Sequence, residues 1–349
     1  MSIFHRLLAW FRPARPDPRV PGAPWSLPAD PEARREAVRW AYRVILLRET
    51  ESAAVEDYLA AQAESARKMR DILLQSEEAR AQPGFPVFFS MTGREPAQPV
   101  QVAVDAGQQE RLFRRVQETW HALGLEQPHW SVVTADAFRP ERIGESLDHF
   151  YATGNDNVAT LLRTLERNGI EASRIRTCLD FGCGVGRLSI ALAGHFARVI
   201  AVDVSASHLA LAREAIAVRG AKNIETRLLE TIEGMENLPR ADLVYSLIVL
   251  QHNPPPVMAA LLRGLLGRLE PGGVAVIQIP TYLPAGYRFD AAEYEAGKGG
   301  EMEMHALPQR EAFAAAREAG VDVLEVMEDG WTGFGAGSRS NTLVLRKPG

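Results

Sequence analysis

The 349-residue sequence is poor in cysteine, in long apolar runs and in excess positive charge. Its two cysteines, Cys178 and Cys183, sit at one short apolar segment, which argues against a disulfide framework. No Cys/His cluster has zinc-ligand spacing, so a metal-free chain is expected. No apolar run approaches the ~20 residues that span a bilayer. The stretch Ile3 to Phe11 is too short for a signal peptide and is broken by His5 and Arg6. Thirty-nine basic against forty-four acidic residues leave a net charge of −5, without the basic face that nucleic acid requires. These absences together lead to the expectation of a cytoplasmic protein that binds no nucleic acid and has no transmembrane segment.

The first 145 residues read as appendages. Met1 to Arg12 can form a short amphipathic helix with basic residues, giving weak peripheral membrane contact at most, because one short helix binds lipid poorly. The plain alternative is a frayed or packed terminus. A Pro-rich stretch follows, so residues 1–30 are assigned to a terminal segment and linker. Asp30 is a plausible cap for a helix opening at Pro31, with Val38, Tyr42, Ile45 and Leu46 at helical spacing. Val55, Tyr58 and Leu59, then Met69, Ile72 and Leu73, continue that pattern, so residues 31–82 are expected to be a small helical domain. This segment resembles a helical domain of bacterial surface-layer and polysaccharide-related proteins. The loop at 47–52, Leu-Arg-Glu-Thr-Glu-Ser, lacks the Gly and Pro usual there. The alternative is a generic helical hairpin that packs on the rest of the chain or pairs two copies into a homodimer. Residues 83–145 read as a Pro/Gly-rich linker and a pre-domain, with a helix from Gln108 to Leu123. Residues 146–349 form the expected main domain, opening with two short helices over 146–168, interrupted at Thr153-Gly154-Asn155.

The informative stretch is Thr177-Cys-Leu-Asp-Phe-Gly-Cys-Gly-Val-Gly-Arg-Leu188, followed by Arg198-Val-Ile-Ala-Val-Asp203. It reads as a buried strand, a glycine turn, a helix, and a second strand ending in a carboxylate. Gly182, Gly184 and Gly186 can adopt positive φ and let a ligand lie against bare main chain. Asp203 is placed to bind vicinal ribose hydroxyls. A dinucleotide fingerprint would need Gly or Ala at the position of Arg187, so the pattern is G-x-G-x-G instead.

With Asp180 inside the strand, this resembles motif I of the class I S-adenosylmethionine-dependent methyltransferases, over roughly residues 146–347. Predicted strands at 177–181, 198–203, 224–229, 241–247, 273–280, 321–327 and 341–347 alternate with helices near 186–194, 206–219, 256–268 and 308–319. That alternation gives an α/β fold with a doubly wound, mostly parallel sheet. The last strand follows the sixth without an intervening helix and should be antiparallel. Seven strands with one antiparallel is what the resemblance implies. So is a site at the strand carboxyl ends that takes S-adenosylmethionine as cofactor. There the methionine half lies over Gly182, Cys183, Gly184 and Gly186, Asp203 holds the ribose with Val204 beside it, and Glu230 and Thr231 border the adenine. Ser246 ends strand four, and Tyr151 and Gly154 stand where relatives close over the methionine carboxylate. Asp180 is expected to order the glycine loop through backbone hydrogen bonds. Cys183 is expected to be a small filler, since nothing basic nearby would lower its pKa.

Methyl transfer to a hydroxyl needs a base to remove the acceptor proton, and a positioned histidine suits neutral pH. His252, after strand four, and His305, between strands five and six, qualify by location; the alternative for either is a structural histidine. Residues 281–307 read as a substrate lid with Tyr282, Tyr287 and Phe289 as walls. The Gly-rich loop 330–338 is a second candidate wall. The leading reading is methyl transfer to a small-molecule or glycan hydroxyl. A NAD(P)-dependent sugar oxidoreductase and a non-catalytic adaptor on the same fold are the alternatives.

Overall fold

The computed structural model describes residues 27–46, 48–76, 78–79, 95–284, 286–297, 302–332 and 337–349. The candidate amphipathic helix at 1–12, most of the first linker, Leu47 and residues 83–94 lie outside the described residues. The chain divides into two compact units, residues 1–89 and 90–349.

The first unit is helical. Its helices α1 (Pro31–Ala41), α2 (Ala53–Gln62) and α3 (Ala66–Leu74) start at side-chain caps from Asp30, Ser52 and Ser65, each accepting from a backbone N–H three residues on. A short π-helical turn, Tyr42–Leu46, continues α1. Val38, Tyr42, Leu59, Met69 and Leu73 form its core. Glu56 is buried there and accepts from Thr50 Oγ1 at 2.6 Å.

The second unit contains α4 (Ala106–Glu126), α5 (Ile143–Arg167), β1 (Thr177–Phe181), α6 (Arg187–Leu192), β2 (Arg198–Asp203), α7 (Ala206–Val218) and β3 (Ile224–Leu228). It continues with β4 (Ala241–Ser246), α8 (Pro255–Gly267), β5 (Leu269–Tyr282), α9 (Ala291–Ala296), α10 (Gln309–Glu318), β6 (Asp322–Asp329) and β7 (Arg339–Arg346). Among the described residues, seven strands form one sheet in the order β3-β2-β1-β4-β5-β7-β6. β7 runs antiparallel to both neighbours, while the pairings from β3 through β5 are parallel. The expected doubly wound sheet and antiparallel last strand are thus present. Side chains alternate across β1: Leu179 and Phe181 enter one core with Leu112 and Phe113 of α4. Cys178 enters the other with Val158, Leu161 and Leu165 of α5. Burial of the central strands on both faces explains their near-continuous apolar sequence. α4, expected in a pre-domain, is therefore part of this core.

Two expectations need correction. Residues 146–167 belong to one helix, α5, rather than two, with Asn168 as its C-cap. Gly154 does not break it. A Cβ there would lie 2.6 Å from the Arg187 carbonyl oxygen, so the glycine lets α5 approach the start of α6. Strand β5 runs to Tyr282, past the expected end at 280, and carries a register shift against β7 near Pro280.

Candidate active site

Strand order reverses between β1 and β4, and a cavity of about 550 Å³ opens at their carboxyl ends, where ligands bind in open α/β sheets. Gly182, Gly184 and Gly186 have φ of 78°, 54° and 84°. A Cβ at Gly182 would lie 2.2 Å from a Val249 methyl, and one at Gly184 2.7 Å from a Val132 methyl, so bulk is excluded as well as conformation restricted. Gly182, Cys183 and Gly184 line the cavity, whereas Gly186 caps α6 behind it. Burial pushes the Cys183 thiol well above its ordinary pKa, so it stays protonated, consistent with a filler.

Asp203 and Val204 also line the cavity. The Asp203 carboxylate accepts from Gly184 N at 2.7 Å and from Ser205 N at 2.8 Å. The side chain that orders the glycine loop by accepting a backbone N–H is thus Asp203. Asp180, expected in that role, accepts from Ser189 Oγ at 2.5 Å and ties β1 to α6. Burial raises the Asp180 pKa to about 6. Tyr151 does not face the cavity: its hydroxyl donates to Val185 O at 3.1 Å and steadies the loop from α5. Gly154 is buried at the α5–α6 crossing. Glu230 and Thr231 are exposed and lie outside the cavity lining. Gln117 Nε2 donates to the Glu230 carbonyl, and Thr231 Oγ1 accepts from Gly234 N. Ser246 is buried and outside the cavity lining, and its hydroxyl has no hydrogen-bond partner among the described residues.

Arg187, singled out only as a break in the dinucleotide pattern, lines the cavity while 6% exposed. Its Nη1 donates to Thr153 Oγ1 at 3.1 Å and Asn157 Oδ1 at 2.8 Å, both from α5. Its Nε has no partner among the described residues, and burial lowers its pKa. The hydrogen bonds to this buried guanidinium come from neutral groups, the Asp180 carboxyl acts on it only through space, and a bound anion at Nε would offset part of the cost of its burial.

His252 follows β4 in a 3₁₀ turn and lines the cavity; His305 does not. Burial lowers the His252 pKa to about 4, so the ring is neutral at physiological pH. Its Nδ1 lies 3.0 Å from Glu303 O and its ring meets Trp120 edge-on at 5.2 Å. A carbonyl only accepts, so Nδ1 carries the proton and Nε2 is the basic nitrogen. His305 is buried among Tyr287, Phe289 and Tyr294, with Nδ1 3.2 Å from the Tyr287 hydroxyl. The lid differs from expectation. Tyr282 donates to Pro96 O, Tyr287 faces His305 and Phe289 is core, while Met302 and Met304 line the cavity. Residues 298–301 lie outside the described residues. Of the loop 330–338, Trp331 and Thr332 line the cavity, and 333–336 lie outside the described residues.

Ile248, between β4 and His252, has φ of 60°, the left-handed region that a β-branched side chain rarely occupies. That conformation costs on the order of 1–3 kcal/mol and persists only where surroundings enforce it. Helix α4 and the 131–134 segment complete the wall through Trp120, Ser131 and Val132. His208 joins them, with Nε2 2.9 Å from Ser131 Oγ and Nδ1 2.8 Å from Ser205 Oγ.

A family model for the methyltransferase domain matches residues 178–273, from the glycine-loop strand into β5. The chain thus carries an S-adenosylmethionine-dependent methyltransferase domain. Among curated proteins, this methyltransferase is 29% identical over 174 residues to a ubiquinone biosynthesis O-methyltransferase of Pseudomonas aeruginosa, covering 46% of the chain and 70% of the relative. It is 34% identical over 108 residues to a cypemycin N-terminal methyltransferase of Streptomyces, covering 29% of the chain and 41% of that relative. Among solved structures, magnesium protoporphyrin IX methyltransferase from Synechocystis with bound S-adenosylhomocysteine aligns with a TM-score of 0.47 at 18% identity. That alignment covers 68% of the methyltransferase and 99% of the other chain. The oxidoreductase and adaptor readings fall with this assignment. The comparisons give no support to the likeness of residues 31–82 to surface and polysaccharide-related proteins. Among the described residues, no helix of the methyltransferase is long and apolar enough to cross a membrane, and no cluster of His, Cys, Asp or Glu has the makings of a metal site.

Proposed function

We propose that the methyltransferase acts on the hydroxyl of a small-molecule acceptor, with His252 as the general base. The observation that carries this reading is a neutral, tautomer-defined imidazole in the same cavity as the glycine loop and Asp203. The O-methyltransferase named among the relatives supports it. The narrower choice of a glycan rests on the sequence of residues 31–82 alone, as does self-pairing through those helices.

The residues present fit the cofactor. Gly182 and Gly184 offer bare main chain beside its methionine half. An ionised carboxylate has about four acceptor positions, and two backbone donors leave Asp203 with capacity for two ribose hydroxyls. The unpartnered, buried Nε of Arg187 suits the methionine carboxylate. Val204 follows Asp203 on the wall and would border the adenine. When bound, S-adenosylmethionine supplies an electrophilic methyl on a sulfonium whose charge is lost on transfer. The protein's work is therefore alignment, exclusion of water and acceptance of one proton. Trp120, Met302 and Met304 shield the acceptor side from water. His252 Nε2 takes the hydroxyl proton as the new bond forms. An amine acceptor, already neutral when it attacks, would not need that base.

The test is a labelled-methyl transfer screen over hydroxyl- and amine-bearing acceptors, paired with calorimetry of S-adenosylmethionine. His252→Ala should slow transfer to the accepted hydroxyl by about 10²–10⁴-fold while leaving cofactor affinity near its original value. Equal turnover in that variant, or an amine as the acceptor, would reject the base assignment. Undiminished cofactor affinity in Asp203→Ala would reject the cofactor arrangement.

A further inference from the structure

The strained turn at Ile248 and the base candidate His252 are joined by a chain of side-chain amides reaching into the sheet. Gln278 is 1% exposed on β5, within the apolar run Val276-Ile-Gln-Ile279, and does not line the main cavity. Its Oε1 accepts from Ile248 N at 2.9 Å. Its Nε2 donates to Gln251 Oε1 at 3.1 Å and to Ser340 Oγ at 2.6 Å. Gln251, 2% exposed, then presents its own Nε2 to Met304 Sδ at 3.1 Å and to His252 Nε2 at 3.4 Å.

The direction of this chain follows from one group that has no choice. A backbone N–H only donates, so Ile248 N fixes which end of the Gln278 amide faces it. That places the Gln278 NH₂ toward Gln251, whose facing atom must then be its oxygen. The Gln251 NH₂ is thereby turned toward His252, where a donor is compatible only with an unprotonated Nε2. The Glu303 carbonyl imposes the same state from the opposite side of the ring by accepting from Nδ1.

We propose that Gln278 is a positioning residue for His252: through Gln251 it keeps Nε2 unprotonated, using the N–H of the strained Ile248 turn as its reference, and the long 3.4 Å amide contact yields the Nε2 lone pair when an acceptor hydroxyl arrives. The inference rests on the proposed role of His252 for its consequence in catalysis, but the tautomer it specifies is measurable without any acceptor. It also gives the Ile248 conformation a purpose, since that conformation brings the N–H to a side chain deep in the sheet.

The test reads ring nitrogen shifts of ¹⁵N-histidine-labelled full-length protein with S-adenosylhomocysteine as the added probe. Wild type should show His252 as the Nδ1–H tautomer. Gln278→Glu, once its carboxyl is ionised, keeps an acceptor for Ile248 N but loses the donor to Gln251. The Gln251 amide then reverses and turns its oxygen to His252. The expected result is a shift of roughly tenfold toward a protonated Nε2, and an upward move of the His252 titration by about one pH unit. The other histidine signals, His208 foremost, should stay in place, as should affinity for the probe. If Gln278→Glu fails to fold, Gln251→Met removes the amide beside the ring and should also move the titration upward. An Nε2–H tautomer in wild type, or an unmoved His252 signal in a folded variant, overturns the proposal. Loss of the base role in the methyl-transfer screen would leave these shifts where they are, so the two failures are distinguishable.

Discussion

Individual residues show how chemistry and packing were separable only in part. Arg187 stood in view in the sequence as the residue that replaces the third glycine, yet its charge gave no hint of burial. In the fold, α5 supplies it with Thr153 and Asn157 instead of a carboxylate, leaving Nε unpartnered. If that guanidinium meets the methionine carboxylate, Arg187→Gln should weaken S-adenosylhomocysteine binding by roughly 10–100-fold, the worth of one charged hydrogen-bonded contact. Binding of 5′-methylthioadenosine, which has no carboxylate, should change by less than about twofold. Calorimetry of both ligands decides it: equal losses would mean that Arg187 supports the fold and not the anion. Asp203 was legible as an acid ending a strand. That it also orders the glycine loop was not, because its contact with Gly184 N joins the end of β2 to the loop after β1, nineteen residues away.

Elements carry a different lesson. The pattern Thr153-Gly154-Asn155 looks like a helix break because glycine is a poor helix former. Its neighbour in space reverses the reading, since α6 leaves no room for a Cβ at Gly154. Gly154→Ala should therefore destabilise the methyltransferase unit by about 1–3 kcal/mol despite alanine's better helix propensity. Gly144, in the same helix with open space around it, is the internal control. Gly144→Ala should be neutral or stabilising by up to about 1 kcal/mol. Thermal denaturation of the two variants checks this, and the same sign of effect at both positions would refute the packing explanation. The lid shows a related effect. Aromatic composition pointed to Tyr282, Tyr287 and Phe289, but Tyr282 reaches Pro96, Tyr287 faces His305 and Phe289 is core, while Met302 and Met304 reach the cavity.

At the scale of the molecule, buried titratable groups oppose one another in acid. His252 has its pKa lowered to about 4 by burial, so its contribution is complete above pH ~6.5 and is lost as pH falls toward 4. His129 and His208, also lowered by burial, add to that loss. Asp180 acts with the other sign. Its pKa is raised to about 6, so the folded state favours its proton, and stability declines as pH rises from about 4 to 6. Asp180→Asn keeps an acceptor for Ser189 and removes the buried charge. The variant should equal wild type near pH 4 and exceed it by on the order of 2–3 kcal/mol at pH 7.5. Urea denaturation at the two pH values tests this, and a difference independent of pH would show that the carboxyl is not titrating there.

Much of this protein was determined locally along the chain. Alternating apolar runs and helical periodicities set the sheet and its winding, the glycine turn and the acid after it marked the cofactor side, and the short last connection required an antiparallel strand. Those features depend on near neighbours, which a linear pattern records. Convergence was decided only in three dimensions. Gln278 of β5 joins residues 248 and 251, in the connection after β4, to Ser340 of β7, elements far apart along the chain. Periodicity says which face a side chain takes but not what lies across from it, so the membership of the cavity and the proton position on His252 belong to the tertiary structure.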